Sequence, residues 1–204
     1  MALKKNFSFI YKNIHIYRFF MNMIYLGKYN QRFKIVTNLL NLKKDKTIVE
    51  LCFGDTLIAN WCRLNNLVWV GFDINDEFIK NARSKGFNAQ YKDILKFEDL
   101  PKSDVVILMG SLYQFNKRLN DLISSIMKST NKFIVSEPII NLASKNNIIG
   151  YFAKRLTKVG KGNEIFRYDY DSLHHALKDA CSDKFKISEI KRTKKDLILV
   201  IQKL

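Results

Sequence analysis

Five short runs of β-branched and aliphatic residues, separated by helical patterns, limit this chain to very few folds. The runs are Thr47–Cys52, Leu67–Asp73, Phe87–Tyr91, Asp104–Gly110 and Lys132–Ser136. Each is too short for a helix, and all but the alternating Phe87–Tyr91 are largely apolar, the pattern of a strand covered on both faces. Between them, Leu57–Leu64 reads as a helix, and a second has Asn75 as N-cap, Phe78, Ile79 and Ala82 inward and Gly86 as its stop. Leu119, Leu122, Ile123, Ile126 and Met127 mark a third. Strands that alternate with helices imply right-handed βαβ crossovers and a doubly wound parallel sheet.

The two ends of the chain depart from that pattern. Phe7, Ile10, Tyr11, Ile14, Tyr17, Met21 and Ile24 fall at three- and four-residue spacing, which predicts one amphipathic helix. Lys12, Asn13, His15, Arg18 and Asn22 interrupt it, so it is neither a signal peptide nor a membrane span. Tyr29–Leu40 reads as a second helix, through Phe33, Val36 and Leu39. Residues 1–44 are thus expected to form a helical cap on a core of residues 45–204, within one domain. Near the other end, a helix over Leu142–Leu156 precedes a break at Gly160 and Gly162, and another spans Asp171–Ala180. Strands Phe185–Arg192 and Leu197–Leu204 are joined by the turn Thr193–Asp196, so they must pair antiparallel.

Composition adds exclusions. Three cysteines, Cys52, Cys62 and Cys181, with no C-x-x-C pair, argue against a disulfide scaffold and a metal site, and a reducing cytoplasm is the expected compartment. The formal net charge of +16 favours anionic partners. A chain this rich in Lys and Asn also fits a compositional bias unrelated to any substrate.

In an open α/β sheet, ligands bind beyond the carboxyl ends of the strands. There the first run delivers Glu50-Leu51-Cys52-Phe53-Gly54-Asp55-Thr56, with Gly54 for a sharp turn and a close backbone approach. Asp73 ends the second run and Asp93 follows the third, so Glu50, Asp73 and Asp93 recur at intervals of about 20 residues, one per βα unit. A carboxylate in such a place accepts hydrogen bonds from ribose hydroxyls.

From Thr47 onward these motifs resemble the class I S-adenosylmethionine (SAM)-dependent methyltransferases. The resemblance implies an α/β, Rossmann-like, mostly parallel seven-stranded sheet with a C-terminal antiparallel hairpin, and SAM as cofactor. It implies that Glu50, Cys52 and Gly54 form the glycine-turn motif, that Asp73 binds the ribose and Ile74 packs on adenine, and that Asp93 and Ile94 read the adenine edge. Gly110 and Ser111 would border the sulfonium. The family's turn has three glycines, where this chain has Cys52, Gly54 and Thr56. Cys52 reads as a small packing residue and Thr56 as an N-cap.

Tyr113, with Gln114, is expected beside the reacting methyl or in helix-end packing. Tyr29 and Arg32 are candidates for the methionine carboxylate, or for a solvated helix face. If the acceptor is a hydroxyl, His174, His175, Glu137 and Tyr113 are the candidate bases; the two histidines are adjacent on a helix, so at most one faces a pocket, and a surface role is the other reading for both. The stretch Met109–Tyr113 lacks the Asn/Asp-Pro-Pro-aromatic loop of amine-methylating relatives. A small or amphiphilic acceptor, anionic or not, is therefore expected, with an RNA methyltransferase or a catalytically silent SAM-fold subunit as the alternatives. The N-terminal helix reads as a lid on the domain's own core or as a contact with an anionic membrane.

Overall fold

The computed structural model describes residues 9–96, 98–139, 166–181, 183, 185–193 and 195–204. Seven strands form one sheet: β1 (Thr47–Leu51), β2 (Val68–Asp73), β3 (Asn88–Tyr91), β4 (Val105–Met109), β5 (Lys132–Pro138), β6 (Phe185–Arg192) and β7 (Asp196–Lys203). Their order is β3-β2-β1-β4-β5-β7-β6. The first five strands pair parallel, and β7 runs antiparallel to both β5 and β6. The expected strands, crossovers and terminal hairpin are therefore all present.

Alternation within each strand divides the core in two. Val49, Leu51, Val106 and Leu108 face one apolar cluster, shared with α5 (Leu119–Ser129) and α6 (Tyr170–Ala180). Ile48, Val105 and Ile107 face the other, shared with α2 (Tyr29–Thr37), α3 (Leu57–Leu64) and α4 (Asp76–Ser84). Val105 to Leu108 are 0% exposed, which is why the central strand reads as an unbroken apolar run rather than an alternation.

The cap differs from its expected form. Instead of one helix, a 3₁₀ turn (Phe9–Lys12) precedes α1 (Ile14–Ile24). The break falls at Asn13, which is extended at φ −152° and whose side chain accepts hydrogen bonds from the N–H groups of His15 and Ile16. An Asn here stabilises a new helix start more than a continued helix would. Helix α2 also stops three residues early, at Thr37. The expected Leu142–Leu156 helix and the Gly160 and Gly162 break lie outside the described residues.

One glycine shows how tightly the sheet's second face is packed. The Trp69 indole lies over Gly71 on the same strand, and its N–H donates to Glu50 Oε2 on β1 at 2.9 Å. A Cβ at Gly71 would lie 2.1 Å from the Trp69 ring and 2.8 Å from Phe53. Gly71→Ala is expected to cost about 2–3 kcal/mol by displacing the indole. Urea unfolding followed by tryptophan fluorescence would read both the loss and an altered native spectrum; a stability equal to the wild type would contradict this packing.

Candidate active site

Strand order reverses between β1 and β4, the switch point beyond whose strand ends an open α/β sheet forms its ligand crevice. The turn after β1 is its floor. Cys52 carries on the pairing, its N–H donating to Phe72 O at 2.7 Å. Its φ is +52° and that of Gly54 is +58°. Cys52 thus takes the left-handed conformation that glycine usually supplies, at a cost of about 1–2 kcal/mol. The turn keeps its backbone route although one glycine is missing.

Asp73 fixes this turn against β2. One carboxylate oxygen accepts the Gly54 N–H at 3.1 Å, and the other accepts the Asn75 N–H at 2.9 Å. Asp73 is 7% exposed and Asp93 9%. Asp93 also accepts from the N–H of Leu95, at the start of a 3₁₀ turn (Ile94–Lys96). The Cys52 thiol marks where the walls meet. Burial pushes its pKa well up, Asp73 and Asp93 add to this, a hydrogen bond from Ser111 opposes it, and Glu137 adds again. Acids from the ends of β2, β3 and β5 thus act on one sulfur, and Ser111 from the β4 loop bonds to it. A thiol held protonated in this way is a packing group and not a nucleophile. Ile74 is half-buried beside Asp73, whereas Ile94 is sunk in the core.

The wall after β4 begins with Gly110 at φ +69°, whose N–H donates to Ser136 O at 2.7 Å. A 3₁₀ helix (Leu112–Arg118) follows, which the sequence did not signal. Glu137, fully buried at the end of β5, accepts the N–H groups of Leu112 at 2.9 Å and Tyr113 at 3.2 Å. Its carboxylate thus positions the loop that carries Tyr113. Burial raises its pKa to about 7, although the two N–H groups, Arg32 and Arg167 all favour the charged form. Arg167 stacks on the Tyr113 ring, 3.6 Å from its centre.

The cap closes the crevice from above. Arg18 of α1 makes a bidentate ion pair with Asp55 in the turn, at 2.6 and 2.9 Å. Tyr17 lies over Gly54, its hydroxyl 3.0 Å from where a Cβ would stand. The Asn75 side chain donates to Tyr11 O at 2.8 Å. Burial pushes the Tyr11 hydroxyl pKa well up, and Tyr113, Tyr17 and Asp73 add to this while Arg167 opposes it. Sequence reasoning missed Tyr11, Tyr17, Arg18, Asp55 and Arg167 as site residues. The signals were a lone arginine in an apolar helix face and an acid inside the glycine turn.

Four expectations need correction. Arg32 is not free for an anion: it donates to Tyr25 Oη and, at 3.1 Å, to Ser136 O, and it lies 3.8 Å from Asp196. Burial opposes its charge, but Asp196, Tyr25, Tyr29 and Tyr17 together hold its pKa above the ordinary value. It packs behind Gly110, 3.1 Å from the Cβ position there. Tyr29 is 2% exposed, within a ring cluster of Tyr17, Tyr25 and Phe33. His174 points at the sheet's outer strand, with Nε2 3.3 Å from Glu189 and its ring against Tyr170. Thr56 stands at the N-cap of α3 without a capping bond; its hydroxyl accepts from Lys85 Nζ at 3.0 Å instead.

The turn, the acids after β2 and β3, and the antiparallel β7 give the chain the fold of the class I SAM-dependent methyltransferases. No family model matches the sequence, and no curated protein matches it. Solved structures do. Human N-acetylserotonin methyltransferase in complex with SAM is 19% identical with a TM-score of 0.61, over 95% of this chain and 57% of that one. PigF with S-adenosylhomocysteine (SAH) is 12% identical with a TM-score of 0.64, over 95% and 61%. Magnesium protoporphyrin IX methyltransferase from Synechocystis PCC 6803, with bound SAH, is 16% identical with a TM-score of 0.57, over 84% and 79%. The chain thus spans about three fifths of the length of the first two.

Several features suit a nucleoside that carries a cationic tail: two left-handed positions in the turn, paired acids at the strand ends, and a buried Glu50 Oε1 that has no hydrogen-bond partner. Glu137 leaves a pH signature. An acid whose pKa is raised on folding contributes most stability below its unfolded pKa, and that contribution is lost as pH rises to about 7. Glu137→Gln should therefore gain about 2–3 kcal/mol relative to the wild type between pH 4.5 and 8. Urea unfolding at both pH values would test this, and a pH-independent difference would refute it.

Proposed function

We propose that this chain transfers a methyl group from SAM to a small or amphiphilic acceptor. The observation that carries the reading is the Gly54 N–H to Asp73 hydrogen bond, which ties the turn after β1 to the acid that ends β2, with Asp93 buried just after β3 and Ser111 hydrogen-bonded to Cys52. When bound, SAM supplies a methyl carbon on a positively charged sulfur, which leaves as a neutral thioether and so needs no acid.

The residues present would hold and orient it. Asp73 and Asp93 would take the ribose hydroxyls and the adenine edge, and Ile74 the adenine face. Cys52 and Gly54 would bring bare backbone to the amino-acid tail, and Glu50 Oε1 offers a buried acceptor for its ammonium. Gly110 and Ser111 would line the sulfur side, where Tyr113 offers an aromatic face to a cation. Tyr11 and Tyr17 would keep water out, which favours an in-line displacement that depends chiefly on orientation. Glu137 positions Tyr113 through the backbone and is not assigned as the acceptor's base. His174 takes no part. A cytoplasmic setting fits the three free thiols and the absence, among the described residues, of a helix long and apolar enough to cross a membrane.

Calorimetry with SAH and with NAD tests the reading. SAH is expected to bind in the micromolar range and NAD not at all. Asp73→Asn should weaken SAH by about 10- to 100-fold, the value of one charge-assisted hydrogen bond. Failure to bind SAH, or binding indifferent to both Asp73→Asn and Asp93→Ala, would defeat it.

A further inference from the structure

Helix α1 is apolar on two sides. Ile14, Tyr17, Met21 and Ile24 pack inward on the core. Ile16, Phe19 and Met23 lie on the outer side at spacings of three and four residues and are 38%, 67% and 44% exposed, and Leu26, just past the helix end, is 77% exposed. Phe9, 51% exposed, extends the row and packs edge-on against Phe20, which also meets Phe19. Five of the eleven exposed large hydrophobic residues among those described thus fall within one short segment. A helix on a globular surface normally turns polar residues outward, and a continuous apolar row indicates an interaction site.

The segment that carries this row has charge of one sign. Residues 1–44 hold nine Lys and Arg and no Asp or Glu; the first acid is Asp45. Arg18 and Arg32 are paired inward. Lys12, Lys28 and Lys34 remain exposed on the same segment. An apolar row on a segment whose own charges are all cationic is complementary to a surface with an apolar interior and an anionic face. A second copy fits poorly, because a two-fold contact would set these cations against each other with no acid in the segment to pair them. Nucleic acid would use the cations but leave Ile16, Met23 and Leu26 without partners.

We propose that the outer face of α1 docks this protein onto an anionic phospholipid bilayer, with Phe9, Ile16, Phe19, Met23 and Leu26 entering the acyl boundary. Docking does not depend on methyl transfer, and it is measured separately from SAH affinity.

Co-sedimentation of the full chain with vesicles of phosphatidylcholine, alone or mixed with phosphatidylglycerol, tests it. Partition into the mixed vesicles is expected to exceed that into neutral ones by about tenfold or more and to fall as salt rises. The double variant Phe19→Gln, Leu26→Asn should lower partition into mixed vesicles by about tenfold or more. Both sites are exposed, and Asn tolerates the left-handed backbone at 26 (φ +50°), so the melting temperature should not change. Three results would overturn the proposal: no vesicle binding by the wild type; vesicle binding unaffected by the double variant; or loss, in that variant, of a dimer seen by light scattering or of RNA retention, with vesicle binding intact.

Discussion

One carboxylate sets the geometry at the centre of this molecule. Asp73 receives the N–H of Gly54 from the neighbouring turn and that of Asn75 from its own. Two backbone donors that would be costly to bury unpaired are thereby satisfied by a single side chain. The bond also locks the turn after β1 to the end of β2. That lock explains how Cys52 is held at φ +52° without a glycine's freedom. Non-glycine residues persist in that region only where their surroundings over-determine it. Here the surroundings are the Cys52 N–H to Phe72 O bond on one side and the Gly54 to Asp73 bond on the other.

A second buried polar group unites the two ends of the chain. Arg32 from the cap, Tyr25 just before it and Asp196 from the terminal hairpin share one buried site, with Tyr25 Oη donating to Asp196 at 2.9 Å. Removing one partner of such a set leaves a charge stranded in the core, which costs far more than the pair itself contributes. Arg32 also grips Ser136 O, the same carbonyl that receives the Gly110 N–H. The left-handed glycine that opens the β4 wall thus rests against a guanidinium. The cap is in this way part of what shapes the crevice.

The regular part of the fold was legible because its causes are local. Runs such as Asp104–Gly110 can bury both faces only as inner strands, and Thr193–Asp196 is too short a link for anything but an antiparallel pair. The places of Asp73 and Asp93 at the carboxyl end of the sheet were legible because they follow from where each strand ends. What escaped was long-range or fine in scale. Arg32 could not be placed without knowing that Asp196 lies beside it. His174 was misjudged because facing a cleft or facing Glu189 is a matter of how α6 is turned, which spacing alone does not fix. Asn13 was read as an interruption of one helix, although its side chain starts another.

The ion pair between Arg18 and Asp55 shows why the cap and the turn cannot be considered apart. Asp55 is 1% exposed, one residue beyond Gly54, and the bidentate partner the structure gives it comes from α1. A carboxylate buried without its counter-charge costs several kcal/mol, so with the cap in place Asp55 depends on Arg18. Helix α1 thus places Tyr17 and Arg18 against the ligand-facing turn, while Phe19 and Met23 face out on its other side. Because the same short helix carries both faces, whatever engages the outer one bears on the helix that closes the crevice.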